Sequence, residues 1–138
     1  MHRILALDIG ERRIGVAVSD PLGITAQGVE TIETRGAQRD RERIAQLAAQ
    51  YETKRLLLGL PRSMDGSEGF QAQRVREFAA GLEDMGFEIR YQDERLTTAS
   101  ARWTLIEGGV RRQKRKQVID KLASVYILQS YLDAGGWK

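Results

Sequence analysis

The chain has 138 residues, 41% hydrophobic and 30% charged, with a net charge of +3; that suits one globular domain with its own core and is too weakly basic to decide a partner. It holds no cysteine and a single histidine, His2, which excludes disulfides and thiolate metal sites and leaves no basis for a Ser-His-Asp triad or a zinc centre. No apolar run is long enough to span a bilayer, and Met1 to Ala6 enters strand-like sequence without a secretory pattern, so a cytoplasmic protein away from membranes is expected.

In chain order, Arg3 to Ile9 predicts a first strand around Ile4-Leu5-Ala6-Leu7. Gly10 to Arg13 predicts a tight turn, and Ile14 to Ser19 a second strand with Ile14, Val16 and Val18 on one face. Pro21-Leu22-Gly23 breaks the chain before a third strand over roughly Ala26 to Ile32. The period then changes: Ile44, Leu47, Ala48 and Tyr51 fit an amphipathic helix. Arg55 to Leu60 is a short, nearly all-apolar strand of the kind covered on both faces. After a polar loop from Pro61 to Gly69, Val75, Phe78, Ala79 and Leu82 mark a second helix that Gly86 is placed to end. Phe87, Ile89 and Tyr91 alternate as a fifth strand running into Asp93-Glu94.

The last predicted element is a helix from about Lys116 to Asp133, with Ile119, Leu122, Val125, Tyr126 and Leu132 on its apolar side and Ala134-Gly135-Gly136 at its end. No repeat or linker divides the chain, so residues 1–138 are read as one domain. An antiparallel three-strand meander followed by alternating helices and strands implies an α/β fold with a five-stranded mixed sheet flanked by helices. That order is the ribonuclease H-like topology.

Acidic residues fall at the ends of these elements. Asp8 closes the first strand, Asp93 and Glu94 close the fifth, and Asp120 lies early in the final helix. Ligands of open sheets of this kind bind at the carboxyl ends of the strands. Asp120 shares a helix face with Ala123, Ser124 and Ile127, whose small members would let that face approach the sheet. Carboxylates gathered without counter-charge raise one another's pKa. Two Mg²⁺ or Mn²⁺ ions about 4 Å apart would relieve that repulsion and clamp the two oxygens of a phosphodiester displacement. Each acid also has a plainer reading: Asp8 as a turn cap, Asp93-Glu94 as a solvated strand end paired with Arg95, Asp120 as a helix-surface residue paired with Lys116 or Lys121.

Clustering of cations beside acids says more than the total. From Arg111 to Lys116 only Gln113 is uncharged. Arg111, Arg112, Lys114, Arg115 and Lys116, with Arg12, Arg13 and Arg95, form the candidate nucleic-acid contacts, and phosphate neutralisation by five such cations would make binding strongly salt-dependent. The alternative for the run is a solvated helix start. Arg74 and Arg76 are further cations in or near loops and helix starts. Gly59-Leu60-Pro61 with Asp65-Gly66-Ser67 resembles a phosphate-contacting loop before a helix N-terminus, or else an ordinary strand-to-helix connection. Trp103 and Trp137 could stack on bases or serve packing.

Together these motifs resemble the YqgF family, Holliday junction resolvase-like proteins. The run Leu7-Asp8-Ile9-Gly10-Glu11-Arg12-Arg13-Ile14-Gly15-Val16-Ala17-Val18-Ser19-Asp20 is similar to its first motif, and Gly59-Leu60-Pro61 with Asp65-Gly66-Ser67 to its second. Asp93-Glu94-Arg95-Leu96-Thr97-Thr98 matches its third, and Lys116 through Asp120 to Leu132-Asp133 its C-terminal helix. The resemblance spans essentially the whole chain. It implies a ribonuclease H-like fold, nuclease activity at the 5′ end of pre-16S ribosomal RNA, and metal ligands at Asp8, the Asp93-Glu94 pair and Asp120. It favours Glu94 within the pair, because resolvases similar to this family carry a glutamate there. The alternation sets Asp93 with Tyr91 and Ile89 and Glu94 with Arg90 and Gln92, while Asp8 lies on the Ile4-Ala6 face; the register between the two strands is left open. Ser124 is a small departure, since the family more commonly carries alanine there. Some relatives have been viewed as disulfide-linked dimers, a linkage this cysteine-free chain cannot make.

The function expected is a divalent-metal-dependent endonuclease processing the ribosomal RNA precursor, with Lys116 or Arg95 steadying the phosphate. Resolution of branched DNA is the alternative, and its paired cuts would favour a homodimer. A non-catalytic RNA binder in ribosome assembly would not need every acidic position. An actin-like ATPase would need a second lobe, for which 138 residues leave no room.

Overall fold

Strand β1 (Ile4–Ile9) and strand β2 (Arg13–Ser19) form an antiparallel hairpin, and β3 (Ala26–Glu33) continues it along the free side of β2. Helix α1 (Ala37–Gln50), strand β4 (Arg55–Leu60), helix α2 (Phe70–Asp84), strand β5 (Glu88–Asp93) and helix α3 (Arg112–Asp133) follow. The computed structural model describes residues 3–62, 65, 67–93 and 112–137, with 112–121 as backbone only. The sheet order is β3-β2-β1-β4-β5, with β1, β4 and β5 mutually parallel. This is the mixed five-stranded sheet that the order of elements predicts.

Two cores explain the strand sequences. On one face Leu5, Leu7, Ile14, Val16, Val18, Leu56, Leu58 and Leu60 pack with Ile44 and Leu47 of α1 and Val75, Ala79 and Leu82 of α2. On the other, Ile4, Ala6, Ala17 and Leu57 pack with Ile127 and Leu128 of α3. β4 is apolar on both faces because both are covered, whereas β1 and β2 put larger residues toward α1 and α2 and small ones toward α3. The β1–β2 turn is closed by a 2.9 Å hydrogen bond from Gly10 N to Arg13 O, and a Cβ at Gly10 would lie 2.7 Å from that oxygen. Gly86, at φ +97°, ends α2 as the sequence predicts.

The final helix departs from the sequence reading in two ways. It begins at Arg112, so positions 112–116 belong to its first turns rather than preceding it; a run of cations offers no apolar periodicity to reveal this. Among the described residues its fully buried side chains are Ala123, Ser124, Ile127 and Leu128, while Tyr126 is 37% exposed and Leu122 only half-buried. Bulky apolar residues suggested the other stripe, but a helix resting on Ala6 and Ala17 needs small side chains at the closest approach. Among the described residues no helix is long and apolar enough to cross a membrane.

Candidate functional site

Three parallel strands bring their carboxyl ends together at Asp8-Ile9, Leu60 and Asp93. The register is continuous across them: Leu7 pairs with Leu58, and Leu58 with Tyr91. Asp8 therefore stands in the row of Gly59 and Gln92, and on its other side it pairs with Gly15 of β2. Asp93 pairs with Leu60 one row further on. Alternation from Ile4 and Ala6 puts Asp8 on the face covered by α3. Asp93 shares the face of Leu60 and Tyr91, toward α1 and α2. The two acids belong to one pole but opposite faces of the sheet.

Asp8 is partly buried, and its in-row neighbours in the adjacent strands, Gly15 and Gly59, carry no side chain. Neither in-row neighbour therefore places a side chain of its own beside the carboxylate. Gly10, which sets the turn two residues later, fixes where this strand ends.

Helix α3 runs antiparallel to β1. Its carboxyl end reaches the amino ends of β1 and β4, where Leu132, Gly135, Gly136 and Trp137 line a 350 Å³ groove with Ile4 and Arg55. Arg90 Nη1 donates to the Tyr131 hydroxyl at 3.1 Å there. Asp120 lies one turn before Ala123 and Ser124 on this helix. Its side chain, and all of Glu94, fall outside the described residues. Among the described residues no three acidic or histidine side chains converge as a metal site.

The cations divide by position. Arg12 is exposed in the β1–β2 turn. Arg13 opens β2, and its Nε is buried with no hydrogen-bond partner among the described residues. Arg112, Lys114, Arg115 and Lys116 occupy the first turns of α3, at the carboxyl pole, as backbone positions; Arg95 and Arg111 lie outside the described residues. Arg74 Nη1 lies 3.7 Å from Glu11 Oε1, and Gln71 donates to the same carboxylate at 3.3 Å, tying α2 to the β1–β2 turn.

Arg76 is committed elsewhere. It pairs with both oxygens of Glu68 at 2.7 and 3.1 Å and lies over the Tyr91 ring at 4.8 Å. Its hydrogen bond holds the Glu68 carboxyl below the ordinary range, while burial pushes the Tyr91 hydroxyl up. Arg62, which the sequence does not single out, reaches Glu68 at 3.9 Å, and its own buried Nε has no partner among the described residues. The only signal for it is its place just after the apolar run of β4. In the Asp65-Gly66-Ser67 loop, Asp65 Oδ1 accepts from Ser67 N at 2.9 Å.

Trp137 belongs to packing. Its ring meets Tyr131 edge-on at 6.4 Å and sits beneath Arg90 and Arg55 at 4.3 and 5.4 Å, all at the pole away from Asp8. Trp103 lies outside the described residues. A 500 Å³ cavity between Ala48, Thr53, Lys54 and Phe87 is also at the amino pole, so its size is no guide to the carboxylates.

Comparison with known proteins agrees with this geometry. Over nearly its full length the chain is 50% identical to a protein of Lactococcus lactis subsp. lactis strain IL1403, covering 99% of this chain and 97% of the relative. A Heliobacterium modesticaldum protein is also 50% identical, covering 96% and 89%. Both carry the provisional name pre-16S rRNA nuclease. Among solved structures, Thermus thermophilus RuvC in complex with a Holliday junction superposes with a TM-score of 0.56 at 15% identity, covering 98% of this chain and 97% of that one. The fowlpox virus resolvase in complex with junction DNA gives 0.58 at 14%, covering 96% and 97%. At such identities the likeness is one of fold, and it is the ribonuclease H-like fold that the strand order describes. The RuvX family, described as Holliday junction resolvase, matches residues 2–134, and the chain belongs to it.

Proposed function

We propose that this protein is a divalent-metal-dependent endonuclease that trims the 5′ end of pre-16S ribosomal RNA, with Asp8, Glu94 and Asp120 as the metal-holding carboxylates. The observation that carries the reading is the position of Asp8: a partly buried carboxylate at the end of the central strand, flanked in its row by Gly15 and Gly59. Oxygen donors with no thiolate fit Mg²⁺ or Mn²⁺, and the glycine-lined space suits a cation and the phosphate it binds. Glu94 is chosen over Asp93 because resolvases similar to this family carry a glutamate there and because Asp93 faces away from Asp8. Family membership and the names of the 50% identical relatives support the substrate.

A bound cation supplies Lewis-acid polarisation of the phosphodiester and a water of lowered pKa, and two such ions would serve both the attacking and the leaving oxygen. The chain's own part is placement. β1 is held between β2 and β4, so the Asp8 carboxylate is fixed along the strand direction before substrate arrives. Asp120 is carried by a helix whose buried small residues fix its distance from the sheet. Lys116 and Arg95 neutralise the phosphates flanking the scissile bond.

Branched DNA is the second reading, supported by the family's description and by the solved resolvases of like fold; it would be served by a homodimer making paired cuts. The test is incubation of the wild type and Asp8→Asn with a pre-16S RNA fragment and a synthetic four-way DNA junction, in Mn²⁺ or EDTA. Metal-dependent cleavage of the RNA that Asp8→Asn abolishes is expected. Preference for the junction replaces RNA processing with resolution, and binding without cleavage of either substrate overturns the nuclease reading in favour of an assembly factor.

A further inference from the structure

Phe70, the first residue of α2, exposes 73% of its surface. Isolated exposed apolar residues are common, so the position must be accounted for from its surroundings. Each helical residue turns about 100°. The buried stripe of α2, formed by Ala72, Val75, Phe78, Ala79 and Leu82, is therefore centred about 145° from Phe70. No rotation of the helix could bury Phe70 without exposing that stripe. Nor does it staple the helix start, since the residues at the stapling positions are Glu68 and Gln73.

Its location is what distinguishes it. α2 begins just after the carboxyl end of β4. The next residue, Gln71, donates to Glu11 in the turn that follows Asp8. Two residues, Ile9 and Gly10, separate Glu11 from Asp8, a Cα–Cα span of at most about 11 Å. Arg74, four residues on, shares the helix face of Phe70 about 6 Å along the axis, and it is held there by Gln71 Oε1 at 3.5 Å and Glu11 Oε1 at 3.7 Å. An exposed ring with a fixed guanidinium one turn away is the combination that binds a single strand, the ring against a base face and the cation against the phosphate.

We propose that Phe70 is a positioning residue that stacks on an unpaired nucleobase of the substrate strand where it crosses the carboxyl pole of the sheet, with Arg74 on the adjoining phosphate. The proposal rests on the nuclease reading and adds to it a requirement for unpaired RNA at this flank. A duplex cannot offer a base face without unstacking, so the contact selects single-stranded substrate.

The test is fluorescence anisotropy in EDTA, where binding is read without cleavage, using one labelled RNA as a single strand and as a blunt duplex. Phe70→Ala is expected to weaken single-strand binding by roughly ten- to a hundredfold, leave duplex binding and the melting temperature unchanged, and show no deficit on a strand with an abasic flank. Phe70→Trp is expected to restore affinity and Phe70→Leu to fail, which separates stacking from burial of apolar surface. Wild-type affinity of Phe70→Ala for the single strand, or an equal loss on both forms, overturns the proposal. A wild type that binds neither form overturns the nucleic-acid reading itself, and that result is distinct because the variants then cannot differ.

Discussion

Asp8 and Asp93 stand at the same pole of the sheet but on opposite faces, because the register relayed through β4 pairs Asp93 with Leu60 while Asp8 falls in line with Gly59. Asp93 is thereby set apart from Asp8, which leaves Glu94 as the proposed ligand of the pair. Glu94→Gln is therefore expected to lower cleavage by at least about a thousandfold, since a lost metal ligand removes transition-state stabilisation of several kcal/mol. Asp93→Asn is expected to retain activity within about tenfold. Single-turnover rates at saturating Mn²⁺ measure both, and the reverse ranking would place the ligand on the other face and remove Asp8 from the same cluster.

Gly15 and Gly59 put no side chain beside Asp8 in its row. Valine suits a strand better than glycine does, so Gly15→Val is expected to keep the far-UV circular dichroism of the wild type while cleavage falls by more than about a hundredfold. Isothermal titration with Mn²⁺ should show the loss at the binding step. An active Gly15→Val would mean that the space over Asp8 is not where substrate and cation lie.

What the sequence disclosed follows from the range of the interactions involved. The alternation of Ile14, Val16 and Val18 and the apolar run of β4 are local patterns, and each marked its strand to within a residue or two. The face of Asp8 and the face of Asp93 were each legible in their own strand. Their relation was not, because β4 lies between them and its register with each is a tertiary fact. The buried side of α3 failed for another reason: Tyr126 and Leu122 look like core by hydrophobicity, whereas closeness to Ala6 and Ala17 selects Ala123 and Ser124 by size.

The tight seating of α3 is testable by overfilling it. Ala123 is fully buried in the layer that includes Ala6 and Ala17. Ala123→Leu is expected to cost about 1–3 kcal/mol in urea unfolding and to reduce cleavage further than the lost stability explains, because the helix carrying Asp120 is pushed outward. Ala123→Gly, which leaves the helix seated, should cost stability without that additional loss of rate. Equal activity per folded molecule in both variants would separate helix seating from catalysis.

Asp20 gives a stability signal in acid. Its Oδ1 accepts from Ile24 N at 2.7 Å and Thr25 N at 3.2 Å across the β2–β3 turn, and the Ile24 N–H, the larger influence, holds the carboxyl below its ordinary value of 3.8. A depressed folded pKa adds stability that is present above the unfolded value and lost as pH falls through the folded one. Asp20→Ala should therefore melt below the wild type at pH 7, with the gap closing as pH drops beneath about 3.9. A gap independent of pH would assign the effect to turn conformation rather than to the carboxylate charge.

The basic run is the last place where the structure sharpens the sequence. In a helix beginning at Arg112, positions 112, 116 and 120 lie four residues apart on one stripe, continued by the buried Ala123, Ser124 and Ile127. Lys114 falls on the other side. Of two lysines two residues apart, Lys116 is then the one on the stripe of Asp120. Lys116→Ala is expected to reduce cleavage by roughly ten- to a hundredfold and to lower the slope of log affinity against log salt by about 0.7, the value for one phosphate contact on a single strand. Lys114→Ala should change the rate less than about threefold. Equal effects from the two substitutions would show a diffuse electrostatic field acting at a distance. Unequal effects in the expected order would show a cation directed at a particular phosphate, placed by the same helical register that carries Asp120 to the sheet.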